Sequence, residues 1–198
     1  MVAITELSKN HSRYKWFVTS SGKMVIGGKS AGQNDELLKI VASIGAELVV
    51  MHTADPGSPF SVILASPNKL KESDLEECAT FTACFSQAWK RNKKQTAVHI
   101  FNSTQLYKTS SMAQGTWAVR GSVKKKIVQL ALTLKVQKGV LRAVPFTNKS
   151  SKKVTIIVPG TIPKEDMPAK LSLELSEPFS TEEVLAALPA GKMRLMSQ

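Results

Sequence analysis

His52, Asp55 and Ser58 lie on one short segment, His52-Thr53-Ala54-Asp55-Pro56-Gly57-Ser58. These three residue types can supply a base, a carboxylate and a nucleophile. Groups so close on a single loop rarely align in those roles, which usually come from separate elements. Asp-Pro-Gly is a turn former whose Asp can bond local backbone N–H groups. The segment therefore reads first as a polar, ligand-facing loop and only second as a catalytic centre. Gly27-Gly28-Lys29-Ser30 ends like a phosphate-binding loop, but the pattern G-x-x-x-x-G-K-[S/T] requires Gly where Lys23 stands. What remains is a turn between a strand and a helix. Its glycines either allow positive φ or leave backbone N–H groups open to a phosphate.

Two further segments, Lys108-Thr109-Ser110-Ser111 and Arg120-Gly121-Ser122-Val123-Lys124-Lys125-Lys126, combine cations, hydroxyls and flexible backbone. Those groups contact phosphate and ribose. Trp117 lies between them and either stacks on an unpaired base or fills a core. The three histidines, His11, His52 and His99, make no metal-ligand pattern, and no cofactor motif is present. Cys78 and Cys84 are six residues apart in one expected helix, which suits neither zinc nor a disulfide. They are expected to be buried thiols.

Charge points the same way. The 198 residues carry 27 Lys and Arg against 15 Asp and Glu, a net +12. Between Lys90 and Lys153 there is no acidic residue at all. A long basic stretch interleaved with apolar positions reads as a folded surface for a polyanion, not a solvated tail. No apolar run reaches bilayer-spanning length, and no secretory signal pattern opens the chain. The expectation is a cytoplasmic protein with no membrane partner.

The elements that must position these groups can be sketched. Tyr14–Thr19 and Met24–Ile26 form a hairpin around Ser20-Ser21-Gly22-Lys23. Asn34 is a plausible N-cap for a helix with Leu37, Ile40, Val41 and Ile44 on one face, stopped by Gly45. Glu47–His52 and Phe60–Leu64 read as strands. Ser73, with Glu76, caps a helix running to about Trp89. Thr96–Phe101, Gln105–Lys108 and Thr116–Arg120 are short strands. Lys126–Val136 and Gly139–Phe146 form a longer hairpin closed at Gln137-Lys138, and Val154–Val158 follows. Pro159-Gly160 is a breaker, and Ser180-Thr181-Glu182-Glu183 opens a last helix through Leu188. The fold class expected is α+β (mixed α/β): a twisted, largely antiparallel sheet, two main helices and a small C-terminal appendage. Residues 1–125 would be the core and 126–198 a β-rich extension ending in a short helix.

Four blocks in order resemble the RNA-binding (R) domain of the NFACT family. They are Tyr14-Lys15-Trp16-Phe17 with Ile26-Gly27-Gly28-Lys29 and Gln33-Asn34-Asp35-Glu36-Leu37; then His52-x-Ala54-Asp55-Pro56-Gly57-Ser58; then Glu77-x-Ala79-x-Phe81-x-Ala83-x-Phe85-Ser86-x-Ala88-Trp89-Lys90; and Gly115-x-x-x-Val119-Arg120-Gly121. Met51, Pro59 and Gln114 depart from the family pattern. The resemblance implies recognition of tRNA or rRNA on or near the ribosome, in translation or ribosome-associated quality control. Full-length relatives also carry an N-terminal NFACT domain and a coiled coil, so a stand-alone R domain is expected, with a partner supplying those parts. The expected mechanism is binding without catalysis or cofactor. Lys29, Lys108, Arg120, Lys124, Lys125 and Lys126 would meet phosphates, and His52, Asp55 and Ser58 would line the recognition loop. Asn34 would organise the loop ahead of its helix, and Trp117 is the candidate stacking residue. The alternatives are an enzyme acting on RNA or a nucleotide through His52, Asp55 and Ser58, and a ribosome-associated protein adaptor.

Overall fold

The computed structural model describes residues 2–147, 154–172 and 179–197. A helix α1 (Val2–Lys9) precedes the hairpin β1 (Lys15–Val18) and β2 (Met24–Gly27). Helix α2 (Ala31–Ser43) follows, then β3 (Val49–Thr53) and β4 (Ser61–Ile63). Helices α3 (Glu72–Cys84) and α4 (Gln87–Lys90) lead into β5 (Gln95–Asn102). A two-stranded piece, β6 (Leu106–Tyr107) and β7 (Ala118–Val119), brackets a loop before β8 (Lys124–Gln129). Strands β9 (Leu132–Gln137), β10 (Val140–Pro145) and β11 (Thr155–Ile162) come next. Helices α5 (Met167–Leu171) and α6 (Thr181–Ala187) and strand β12 (Met193–Ser197) complete the chain.

The α+β class and the antiparallel pairing hold, but there are two main sheets. One has the order β1-β2-β4-β3-β5-β8 and the other β10-β9-β11-β12. All their pairings are antiparallel. Alternation along β3 and β5 divides two cores. Val49, Met51 and Val98 join α3 and the second sheet in one cluster, while Val50 and Phe101 join α2 in the other. The strand expected over Lys126–Val136 is really β8 and β9, lying in different sheets. Val128, Leu130 and Leu132 are all buried in one cluster, so the alternation runs unbroken through the crossing. A strand can pass between packed sheets in this way while its inward residues keep their parity.

Other boundaries move for local reasons. Helix α3 stops at Cys84, not Trp89, because Ser86 donates its hydroxyl to Ala83 O at 2.7 Å and accepts from Ala88 N at 3.0 Å. A Ser that bonds the backbone on both sides offers the chain an alternative to helix, and here it caps a new turn. Ser73 and Glu76 do not form the cap of α3. Asp74 instead accepts from Lys71 N at 2.8 Å, and also from Thr19 Oγ1 and Ser21 Oγ at 2.6 Å each. This buried carboxylate thereby clamps the β1–β2 turn to α3. Glu77 adds bonds from the backbone N and hydroxyl of Ser20.

Pro159-Gly160 does not break the chain. Strand β11 runs through it with a register shift, both Pro159 and Ile162 pairing with Met193, as Pro permits at a bulge. The chain likewise does not end in the helix: β12 follows α6 and pairs along β11. The capping box of α6 is present, Ser180 Oγ accepting from Glu183 N and Glu183 Oε2 from Ser180 N.

The free edge of β1 is closed by side chains of the second sheet. Gln137 accepts from Val18 N at 2.8 Å and donates to Val18 O at 2.7 Å, and Arg142 donates Nε to Trp16 O at 3.1 Å. An edge strand covered in this way does not present a template to another chain.

Candidate nucleic-acid interface

A groove of about 750 Å³ opens on the α2 side of the six-stranded sheet. Its floor follows from register. His52 of β3 stands opposite His99 of β5, and His99 opposite Lys125 of β8. Phe60 lies against His52, ring centres 4.4 Å apart, and near Phe101 at 6.4 Å. One wall is the β2–α2 turn at Gly28, Lys29 and Ser30, facing the Gln114–Trp117 loop. The other carries Lys15, Phe85 and Lys90. Among the described residues no Asp or Glu lines this groove.

The wall at α2 depends on Asn34. Helix α2 starts earlier than expected, with Ser30 as its N-cap accepting from Gln33 N at 3.2 Å. Asn34 is therefore not the cap. It sits buried in the first turn, its Oδ1 accepting from Phe60 N at 3.1 Å, which ties the turn to the end of the His52 loop. Neither Gly27 nor Gly28 has positive φ. Gly28 is required for space: a Cβ there would lie 2.1 Å from Asn34 Oδ1. Gly28→Ala is expected to displace Asn34, destabilise the fold by about 1–2 kcal/mol, and speed exchange of the Phe60 amide in hydrogen-exchange measurements.

The opposite loop depends on Asp35, which sequence reading passed over. Its carboxylate accepts from Lys108 Nζ at 3.0 and 3.1 Å, from Gly115 N at 3.1 Å and from Trp117 Nε1 at 2.8 Å. Burial pushes the Asp35 carboxyl up, but the Gly115 amide, Lys108 and Trp117 together hold it below the usual carboxylate value. Lys108 also donates to Ala113 O and Thr116 O. It is thus a strut of the loop, not a free phosphate contact as expected. Gly115, at φ +78°, brings the loop against Ala31, where a Cβ would lie 2.7 Å from the Ala31 side chain.

The expected lysine run divides by strand alternation. Lys125 is exposed on the groove side beside His99. Lys124 and Lys126 stand opposite Ile100 and Val98, which belong to the α3 side. Lys126 is ion-paired there with Glu72 at 2.6 Å and Glu76 at 3.0 Å. Arg120 is exposed beyond the groove, its guanidinium 4.6 Å over the Tyr107 ring. Trp117 lines the groove, half-buried, with its indole N–H held by Asp35.

The loop of possible chemistry is held apart. His52 Nδ1 lies 2.7 Å from Thr53 O, so it must donate, which leaves Nε2 of the neutral ring as an acceptor. Ser58 Oγ accepts from Thr53 N at 3.0 Å and donates to Pro59 O at 3.1 Å. The Asp55 carboxylate pairs with Lys93 at 2.9 Å and not with local backbone N–H groups. None of the three touches another. Burial lowers the His52 pKa; the bond to Thr53 O opposes this and the charge of His99 adds to it. The unfolded chain therefore takes up this proton first, and stability falls as pH drops below about 6.5, levelling off beneath the folded value. Melting temperatures between neutral and mildly acidic pH should fall less in His52→Gln than in the parent.

Lys29, Asn34, His52, Ser58 and Trp117 thus line one groove, and Lys125 stands on the same side of the sheet beside His99. Asp55, Lys108, Arg120, Lys124 and Lys126 do not line it. Lys15, Lys90 and His99 do, and alternation in Tyr14–Thr19 and Thr96–Phe101 could have pointed to two of them. Cys78 and Cys84 are buried free thiols whose pKa burial pushes up. Among the described residues no helix is long and apolar enough to cross a membrane, and no His, Cys, Asp and Glu cluster fit for a metal occurs.

Comparison with known proteins matches this architecture. The chain is 25% identical to the archaeal Rqc2 homolog aRqcH of Methanocaldococcus jannaschii over 202 aligned residues, covering 96% of this chain and 30% of that protein. It thus spans under a third of that relative's length. The C-terminal part of the fibronectin/fibrinogen-binding protein from Streptococcus suis has a similar fold, with TM-score 0.52 and 23% identity, covering 59% of this chain and 45% of that one. The family model of the NFACT protein RNA binding domain matches residues 13–121, which hold β1 to β7 and most of the groove walls. The chain belongs to the NFACT RNA-binding domain family.

Proposed function

We propose that the chain binds a structured RNA, tRNA or rRNA, by laying an unpaired stretch of it in this groove, and that it does so without catalysis. The observation that carries the reading is the lining itself: Lys15, Lys29 and Lys90 around an aromatic and histidine floor, with no carboxylate among the described residues. Cations along a groove follow the phosphate backbone, and aromatic faces accept bases without needing a particular sequence. The neutral His52 contributes an acceptor, suited to a ribose hydroxyl or an exocyclic amine. The separation of His52, Asp55 and Ser58, each with its own partner, supports a binding role for their loop.

The likeness to the Rqc2 homolog supports a place in translation, in ribosome-associated quality control in the cytoplasm. In that setting the ribosome, or a protein supplying the remaining NFACT parts, is a further partner. The test is binding to tRNA, single-stranded RNA and duplex DNA between about 50 and 200 mM salt. Preference for structured RNA that persists at the upper end supports the reading. Equal binding to all three, abolished by salt, would reduce the surface to generic charge and overturn it.

A further inference from the structure

The basic character of the groove continues past the six-stranded sheet. Ala190, between α6 and β12, is part of the groove wall. A Cβ on the adjoining Gly191 would lie 3.3 Å from Lys90 Cα and 3.4 Å from Trp89 Cδ1, so this segment rests on α4. Lys164, in the turn before α5, donates from Nζ to Leu188 O at 3.1 Å in the same region. Arg142 of β10 reaches the β1 rim, its Nε on Trp16 O and its guanidinium 4.8 Å over the Trp16 ring. Lys15, next to Trp16, holds its ammonium 4.6 Å from the Phe85 ring centre. It faces Gly27 across the hairpin, two residues before Lys29. Lys29 in turn reaches Ser12 O at 3.4 Å.

Four cations from four separate segments therefore lie around the β1 rim, near enough that the charges of Lys29, Arg142 and Lys164 all act on Lys15. Lys29, Arg142 and Lys164 each hold a backbone carbonyl, which positions the charge without neutralising it. Among the described residues none of the four is in an ion pair, and the carboxylate acting on the group is that of Glu165, next to Lys164. Burial lowers the Lys15 pKa to about 8, and the charges of Lys164, Arg142 and Lys29 press it the same way. Gathering like charges in a partly dry place opposes folding, and an anion entering there relieves both repulsion and desolvation.

We infer that Lys15, Lys29, Arg142 and Lys164 form a subsite for one phosphate group of the RNA strand, so that the second sheet takes part in binding. This rests on the RNA-binding reading above. It goes beyond that reading in assigning a phosphate contact to residues of β10 and the β11–α5 turn, outside the matched family region.

The test uses the full chain, with Lys164→Gln, Arg142→Gln and their combination, and with Lys90→Gln as a groove control. Single-stranded RNA and inorganic tripolyphosphate are the probes. Binding of either should move the Lys15 titration, followed by NMR of its ε-carbon, upward from about 8. Movement by RNA alone would show that the phosphate must arrive on a strand, and movement by both that the phosphate group suffices; either supports the subsite. In the double variant the salt slope should fall by about 1.4, roughly 0.7 per contact. Because Arg142 also braces Trp16 O, Lys164→Gln with an unchanged melting curve is the cleaner variant, and its slope should fall by about 0.7. If RNA binding weakens in Lys90→Gln while the Lys15 titration stays in place and Lys164→Gln keeps its slope, the subsite is wrong and the groove reading stands. If no variant changes RNA binding, the groove reading itself fails.

Discussion

Asp35→Asn is expected to destabilise the protein by about 3 kcal/mol, the lower end for removing one partner of a buried ion pair. The pair side chains are only 13% and 18% exposed, so the Lys108 ammonium would be left with carbonyl partners alone in a poorly hydrated place. The Asn amide keeps one acceptor oxygen, so only one of the Gly115 amide and the Trp117 indole N–H retains its partner, and the loop closure they enforce together is weakened. Chemical denaturation should show a lower midpoint with an unchanged slope. The sign with pH is set by the lowered Asp35 pKa. Stability from this carboxylate is fully present above its ordinary value near 3.8 and is lost as pH falls through the lower folded value. Asp35→Asn should therefore be less acid-sensitive than the parent. Adding Lys108→Met should recover part of the loss, because the stranded charge is removed with its partner.

The second large effect is on affinity. Neutralising Lys29, Lys90 and Lys125 together, each to Gln, should reduce the slope of log affinity against log salt by about 2 to 3 and weaken RNA binding roughly a hundredfold at low salt. All three are exposed and unpaired among the described residues, so their removal should leave the melting temperature nearly unchanged. Lys126→Gln is the informative contrast. Burial lowers its pKa, but hydrogen bonds and charge from Glu72 and Glu76 outweigh that and raise it, so the ammonium is already committed. Its removal should leave RNA affinity almost untouched. A filter-binding or anisotropy series over salt reads both variants.

Much of this arrangement was legible in the chain, and the failures have physical causes. The β1–β2 hairpin, α2 and the strands around His52 announce themselves by period and by turn residues. The split of Lys126–Val136 could not be read, because Val128, Leu130 and Leu132 keep one parity while the strand changes sheet. Three consecutive lysines look like one patch by composition, but alternation places Lys125 on one face and Lys124 and Lys126 on the other. Composition cannot tell a strut from a ligand contact: Lys108 and Lys29 look alike until Asp35 is found beside only one of them. Gly28 was ambiguous between conformational freedom and close approach, and only the position of Asn34 decides it. The contribution of Arg142 and Lys164 depends on long-range packing of the second sheet against β1, which no local pattern encodes.

The central claim is where the RNA lies. Photocrosslinking of RNA carrying 4-thiouridine to the full chain, followed by mapping of the modified peptides, tests it most directly. The account predicts adducts on the groove segments, around Lys29, His52, His99 and Trp117. Adducts confined to the opposite side of the sheet, around Glu72, Lys126 and Arg194, would contradict it.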